Sequence, residues 1–217
     1  MPGFSRIEDA LEAISQGSCV VVLDSEDREN EGDFVAAADN VTPELIHFMI
    51  SHGRGQLCMP VLPKTAWRLD LHPMVSNAAP SAPRFAVPVD FRECHTGISP
   101  EERALTIRKI VDVSTRPEDY LRPGHIFPLI AQERGVLQRE GHTEAAVDLA
   151  RMAGLTGAGV LCEICSRDGR TMARGEELMQ LAAEFGLPII AIDALIDYRR
   201  AQEPVDESRL VPCSEIG

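Results

Sequence analysis

Ten residues, Asp24-Ser-Glu-Asp-Arg-Glu-Asn-Glu-Gly-Asp33, hold six carboxylates and one arginine. Like charges at such close range repel, and the arrangement is easier to keep when a cation or a polar ligand sits among them. The competing reading is a solvated acidic turn. Asp27-x-Glu29-x-Glu31-Gly32 has the spacing of the first half of an EF-hand loop, but Ala38 stands where the bidentate carboxylate belongs, so that calcium site is excluded. Magnesium fits better, because it needs one or two protein ligands and keeps waters that a substrate can displace.

Three other stretches carry chemistry. In Arg139-Glu-Gly-His-Thr143, a glycine allows close backbone approach, and His142 and Thr143 fall at a helix N-terminus. Such a terminus offers unpaired N–H groups and a positive dipole end, which with Arg139 suits a phosphate. His142 could also ligate a metal; the plainer alternative is a capping loop with a surface histidine. In Arg122-Pro-Gly-His-Ile-Phe-Pro128, prolines and glycine stiffen the backbone around His125, as general acid–base work or a structural histidine would require. Glu163 is a lone carboxylate in an apolar strand, and it either faces solvent or belongs to a polar site, since unpaired burial is costly. Cys162-Glu-Ile-Cys165 has C-x-x-C spacing, but residues three apart on a strand point to opposite faces, which argues against shared zinc. The glycines of Gly154–Gly159 precede a strand, so they make no dinucleotide fingerprint.

The elements that would position these groups alternate irregularly. The acidic loop leaves the apolar run Cys19–Leu23, part of a strand over Ser18–Leu23, and Phe34–Ala38 makes a second strand beyond it. Helices are expected over Arg6–Gln16, from Thr42 (as N-cap, with Pro43 next) to about Gly53, from Ser99 to about Asp112, and from a Thr143 cap through Met152. Ser99-Pro-Glu-Glu102 matches a capping box. A helix face of Leu178, Leu181, Ala182 and Phe185 and a final helix over Asp193–Arg200 follow. Strands are read over Gln56–Met59, His125–Leu129, Gly159–Cys165 and Pro188–Ile192. The proline-rich stretch to Pro88 reads as a surface loop leading to an edge strand, Phe85–Phe91, and Arg116–Gly124 as a second loop. This pattern predicts a mixed α+β fold, a mixed sheet flanked by helices in a single domain over 1–202, with a polar, mobile tail over 203–217.

Composition sets the outer limits. At 217 residues with a net charge of −13, the chain is sized for one domain and argues against nucleic acid or an anionic membrane as partner. The N-terminus lacks a signal peptide's apolar stretch, so a cytoplasmic location is expected, with the six cysteines reduced.

Taken together, six segments in this order resemble the 3,4-dihydroxy-2-butanone 4-phosphate synthase family of riboflavin biosynthesis. They are Asp24–Asp33, His52-Gly-Arg-Gly-x-Leu-Cys58, Thr96-Gly-Ile-Ser99 with Arg103, Arg122–Leu129, Arg139-x-Gly-His-Thr-Glu144 and Gly159-Val-Leu-Cys-Glu163. The resemblance implies a cytoplasmic lyase that converts D-ribulose 5-phosphate to L-3,4-dihydroxy-2-butanone 4-phosphate and formate. It implies Mg2+ or Mn2+, two per site with substrate, no organic cofactor, and a homodimer with sites near the subunit interface. Carried over, Glu29 and His142 hold the metal, which stabilises enediolate charge. Arg28, Asp33 and the loop Arg139, Glu140, Gly141, His142, Thr143 bind substrate together with Glu29 and Glu163, with Arg139, Thr143 and Thr96 on the phosphate. His125 and Glu163 form the acid–base pair, with Glu31, Asp33 and Cys58 also in the catalytic set, while Asp24, Glu26 and Asp27 are the solvated remainder. The sequence departs from the family's usual pattern at Ala78, Arg84, Ala86 and Cys94. Two other readings keep the residues but change the outcome: a magnesium-dependent isomerase or lyase acting on another sugar phosphate, and a non-catalytic acidic metal-binding protein.

Overall fold

The computed structural model describes residues 3–77, 79 and 82–202; Ala78, Cys213 and the 203–217 tail lie outside them. Seven strands form one mixed sheet: β1 (Val20–Leu23), β2 (Gly32–Ala37), β3 (Cys58–Val61), β4 (Val89–Phe91), β5 (Tyr120–Ile130), β6 (Gly159–Glu163) and β7 (Ile189–Ala191). Their order is β4-β5-β3-β6-β2-β1-β7, with β3–β5 and β1–β7 parallel and the other neighbours antiparallel. The helices are α1 (Ile7–Ser15), α2 (Pro43–His52), α3 (Pro63–Arg68), α4 (Pro100–Val111), α5 (His142–Met152), α6 (Glu176–Phe185) and α7 (Ile192–Gln202). The mixed α+β architecture matches the expectation.

Strand alternation divides the core into two layers. Phe34, Ala36, Val160 and Cys162 point to one face, where they pack with Ile46 and Met49 of α2, Ile107 and Ile110 of α4 and Leu178 of α6. Val35, Ala37, Leu161 and Cys58 point to the other, under Ala10 and Ile14 of α1, Ala146 and Leu149 of α5 and Leu195 of α7. Asp33 and Glu163 share the alternation of this second face and end their strands beside α5, so the rule that builds the core also delivers two carboxylates to one edge of it.

Several boundaries differ from the sequence reading, each for a local reason. Residues 63–68, assigned to no element from the sequence, form a short helix with Pro63 at its first position, where the missing N–H costs nothing. The edge strand is shorter than Phe85–Phe91: Pro88 cannot donate to a ladder, so only Val89–Phe91 pairs continuously, while Phe85 and Ala86 make isolated bridges. β5 begins at Tyr120 inside the expected loop, and its register against β4 jumps from Val89↔Ile126 to Asp90↔Leu121. Residues 122–125 therefore bulge out of the ladder, which is how Pro123 is tolerated. The N-cap of α5 is Gly141, not Thr143. Ser99 does cap α4, accepting from Glu102 N at 3.2 Å, but the Glu102 carboxylate bypasses the Ser99 amide for those of His95, Thr96 and Gly97.

Candidate active site

The acidic loop is ordered by its own first residue. Asp24, expected to be solvated, is buried, and its carboxylate accepts from Glu31 N at 2.8 Å, Glu29 N at 3.1 Å and Arg28 Nη1 at 2.7 Å. Three donors on one carboxylate fold the loop back over the end of β1, and Asn30 takes a positive φ of 53° to complete the turn. Arg28 also reaches Glu29 Oε2 at 2.8 Å. The sequence carried a usable signal for Asp24, since it directly follows a buried strand, but the like charges around it masked that signal.

His142 enters from the first turn of α5. Its Nε2 lies 3.1 Å from the carbonyl of Val22 on β1. A carbonyl only accepts, so Nε2 carries the hydrogen and the Nδ1 lone pair is left toward the cleft, 3.9 Å from Asp33 Oδ2. Burial lowers the pKa of this imidazole below its usual range, against the pull of Asp24, and so favours the neutral form that a metal requires. Asp24, Glu29 and His142 each offer a ligand atom within 4.8 Å of the others. The donor set, two carboxylates and a neutral imidazole with a fixed tautomer, fits a divalent cation.

Opposite this cluster, Asp33 and Glu163 face each other across the β2–β6 ladder. Gln56 N donates to Glu163 Oε2 at 2.8 Å. Glycine at position 55 is dictated by Glu163, since a Cβ there would come within 2.5 Å of its backbone carbonyl and 2.6 Å of Oε2. Burial raises the Asp33 carboxyl well above the usual range, and Glu163, Glu29, Glu31 and Asp24 push the same way. Glu31 is raised more modestly, by burial and then Glu29, with Arg174 at 3.9 Å opposing. Such carboxyls are suited to moving protons near neutral pH.

The third wall is the N-terminus of α5. The Arg139 guanidinium is held by Glu144 Oε2 at 2.6 Å, and Glu144 Oε1 accepts from Gln132 N at 3.0 Å. Both Arg139 and Arg28 crowd the space a Cβ on Gly141 would take. Two guanidinium groups thus converge on a glycine at a helix N-terminus, with Thr143 also lining the cleft, an anion cradle built from short-range parts. The cleft they enclose measures about 430 Å³ and is lined by Arg28, Glu29, Glu31, Asp33, Arg139, His142, Thr143 and Glu163, with Pro83, Phe85, Leu129 and Leu161 as its apolar rim.

Besides Gly141 in the cradle, four sequence-expected residues lie outside this lining. Cys58 is buried in the core beneath the cleft, and burial with Glu163 and Asp33 nearby raises its pKa, so the group is a thiol. Glu140 is exposed toward a second hollow with Asp27 and Asp193. His125 sits on β5 four residues before Leu129, roughly 13 Å along the strand, and Thr96 is exposed on the loop preceding α4. Arg84, one of the departures from the family pattern, lines an adjoining cavity of about 960 Å³ with Gln132, Gln138 and Arg139. No cysteine joins a metal-ligating cluster among the described residues, and Cys162 and Cys165 are free.

The sequence model of 3,4-dihydroxy-2-butanone 4-phosphate synthase matches residues 8–198. The chain belongs to this family. Curated relatives include the riboflavin biosynthesis protein RibBA of Bacillus subtilis, 54% identical over 90% of this chain and 49% of its own length, and that of Bacillus mycoides, 53% identical over 92% and 50%. The chain thus spans about half the length of the curated relatives it matches. Among solved structures, the two-domain synthase RibBX of A. baumannii superposes with a TM-score of 0.88 at 46% identity, covering 92% of this chain and 59% of that one. A synthase in complex with two magnesium ions superposes at 0.86 with 39% identity, covering 92% and 98%. Family members therefore share this fold over nearly the whole of the described chain, and no helix in the described residues is long and apolar enough to cross a membrane.

Proposed function

We propose that the chain converts D-ribulose 5-phosphate to L-3,4-dihydroxy-2-butanone 4-phosphate and formate, as a unit spanning 1–202. The observation that carries the reading is the convergence, on one 430 Å³ cleft, of a divalent-cation donor set, raised carboxyls and a two-arginine anion cradle. The phosphate sits at the N-terminus of α5, where Arg139, Thr143 and Arg28 bind it and fix the sugar's direction. Held there, the carbon chain extends toward Asp33 and Glu163. Glu163, oriented by Gln56 N, takes a proton from carbon, and the neighbouring Asp33 and Glu31 donate and accept at the oxygens. Glu29 and His142 would hold Mg2+ or Mn2+, two ions per site with substrate, and the metal would supply positive charge to stabilise enediolate charge. Phe85, Leu129 and Leu161 line the cleft and keep water from the reacting carbons.

That neither His125 nor Thr96 lines this cleft supports a homodimer in which a second copy supplies them. On the face that carries the cleft, α1, α5 and α7 pack over β1, β2, β3 and β6. Beyond α5, His125 and Phe127 of β5 are left incompletely covered, and Ile98 is exposed on the Thr96 loop. The decisive experiment is formate release from ribulose 5-phosphate with magnesium. Turnover abolished by chelator and restored by the metal supports the reading, and an intact, metal-binding protein that releases no formate overturns it.

A further inference from the structure

Asp90 has no part in the chemistry above, yet it holds His125 at two points. It is buried on β4, 6% exposed, and its Oδ1 accepts the backbone N–H of His125 at 2.8 Å while Oδ2 lies 2.7 Å from Nδ1. We propose that Asp90 is a positioning residue for the reaction, fixing His125 with its hydrogen on Nδ1 and presenting Nε2 as the proton acceptor. The inference rests on the reading of His125 as an acid–base group.

The register of the sheet explains why a side chain is needed there. Because residues 122–125 bulge from the β4–β5 ladder, the His125 amide has no strand partner, and the Asp90 carboxylate takes its place. A carboxylate accepts and does not donate, so Nδ1 must carry the hydrogen, and the lone pair of a neutral ring lies at Nε2. One oxygen on the backbone and the other on the ring fix both the position and the rotation of the imidazole, whose side chain remains 44% exposed at its outer edge. The carboxylate also braces the neighbouring loop. Gly97, at φ 78°, packs against Asp90 so closely that any side chain would overlap it. That loop carries Thr96 and is tied to α4 by Glu102, which accepts from Gly97 N at 3.1 Å. Asp90 therefore joins His125 and Thr96 into one preformed half-site.

Several other charged groups on the surrounding elements are engaged elsewhere. Glu102 caps the amides of residues 95–97. The Arg122 guanidinium donates to the carbonyls of Leu69, Pro117 and Tyr120, and Arg92 pairs with Asp119 at 3.3 Å. Cys94 lies near Thr106, and His95 is exposed on the loop.

The test is a double-mutant cycle with saturating magnesium. Asp90→Asn is expected to lower kcat about 100-fold, with KM and magnesium affinity unchanged, and Asp90→Glu restores part of the rate. In a His125→Ala background Asp90→Asn should have no further effect. An equal loss in both backgrounds, or an Asp90→Asn enzyme with unaltered kcat, overturns the inference while leaving the function standing. Full turnover in His125→Ala alone overturns the acid–base reading itself and the inference with it. If Asp90→Asn does not fold, the long-range 1H–15N spectrum of the unmodified protein decides: the neutral His125 ring is expected with its hydrogen on Nδ1, and an Nε2–H tautomer overturns the proposal.

Discussion

Burial raises the Asp33 carboxyl well above the usual carboxylate range, and Glu163, Glu29, Glu31 and Asp24 add to the shift. In the unfolded chain the same group titrates near 3.8. The folded state therefore binds its proton more tightly, and the stability this contributes at low pH is lost as pH rises from 3.8 through the folded value. Asp33→Asn removes that loss. With chelator present at neutral pH, the variant should unfold in urea with about 0.5–2 kcal/mol more stability than the parent, the gain shrinking toward pH 4. Its formate release should fall about 100-fold or more. An Asn variant less stable than the parent under chelation would mean that the cleft does not strain this carboxylate. His142 yields a companion expectation. Because burial keeps the ring neutral below the ordinary histidine range, magnesium binding measured by calorimetry should persist below pH 6.5, where a solvent-exposed histidine ligand would be lost to protonation.

At the scale of elements, the first turn of α5 does two jobs, since its side chain His142 reaches the metal cluster and its N-cap glycine leaves room for an anion. Gly141→Ala keeps the helix, whose N-cap is extended at φ −123° and open to alanine, but sets a methyl group between Arg139 and Arg28. The expected result is a rise in KM for ribulose 5-phosphate of about tenfold or more, with weaker inhibition by inorganic phosphate and unchanged magnesium affinity. Arg139→Lys should act the same way, because it keeps the charge and loses the fork that Glu144 aligns. Much of this was legible in the sequence. A glycine, a histidine and a threonine at a helix start imply an anion site by local rules, and the acidic loop after an apolar strand implies a cation. What local rules cannot supply is the partner across the sheet. That Glu163 faces Asp33 depends on a β2–β6 pairing of residues far apart in the chain, and that Asp24 is buried depends on the loop folding back on it. Asp90 was invisible for the same reason, since its value comes from a bulge in β5, whose first part, up to Gly124, was read as a loop.

For the whole molecule, the question is whether one chain holds a complete site. The cation donors, raised carboxyls and anion cradle share one cleft, and His125, held by Asp90, lies along β5 roughly 13 Å before the cleft's rim residue Leu129. On the proposed reading, a second copy brings its own Asp90–His125 unit to the first copy's cleft. A two-fold dimer would do this twice, each protomer lending the same unit it receives. The consequence can be tested by mixing inactive proteins. Glu163→Gln disables the cleft and His125→Ala the lent unit, and each homodimer should be inactive. When the two are refolded together at equal amounts, about half the dimers are mixed, and each mixed dimer has one site with both parts intact and one with neither. Formate release should return to about a quarter of the unmutated rate, a recovery that needs no new contact and follows from counting sites. If each chain instead builds its site alone, the mixture remains as inactive as its parents, and the exposed face of β5 then has no part in catalysis.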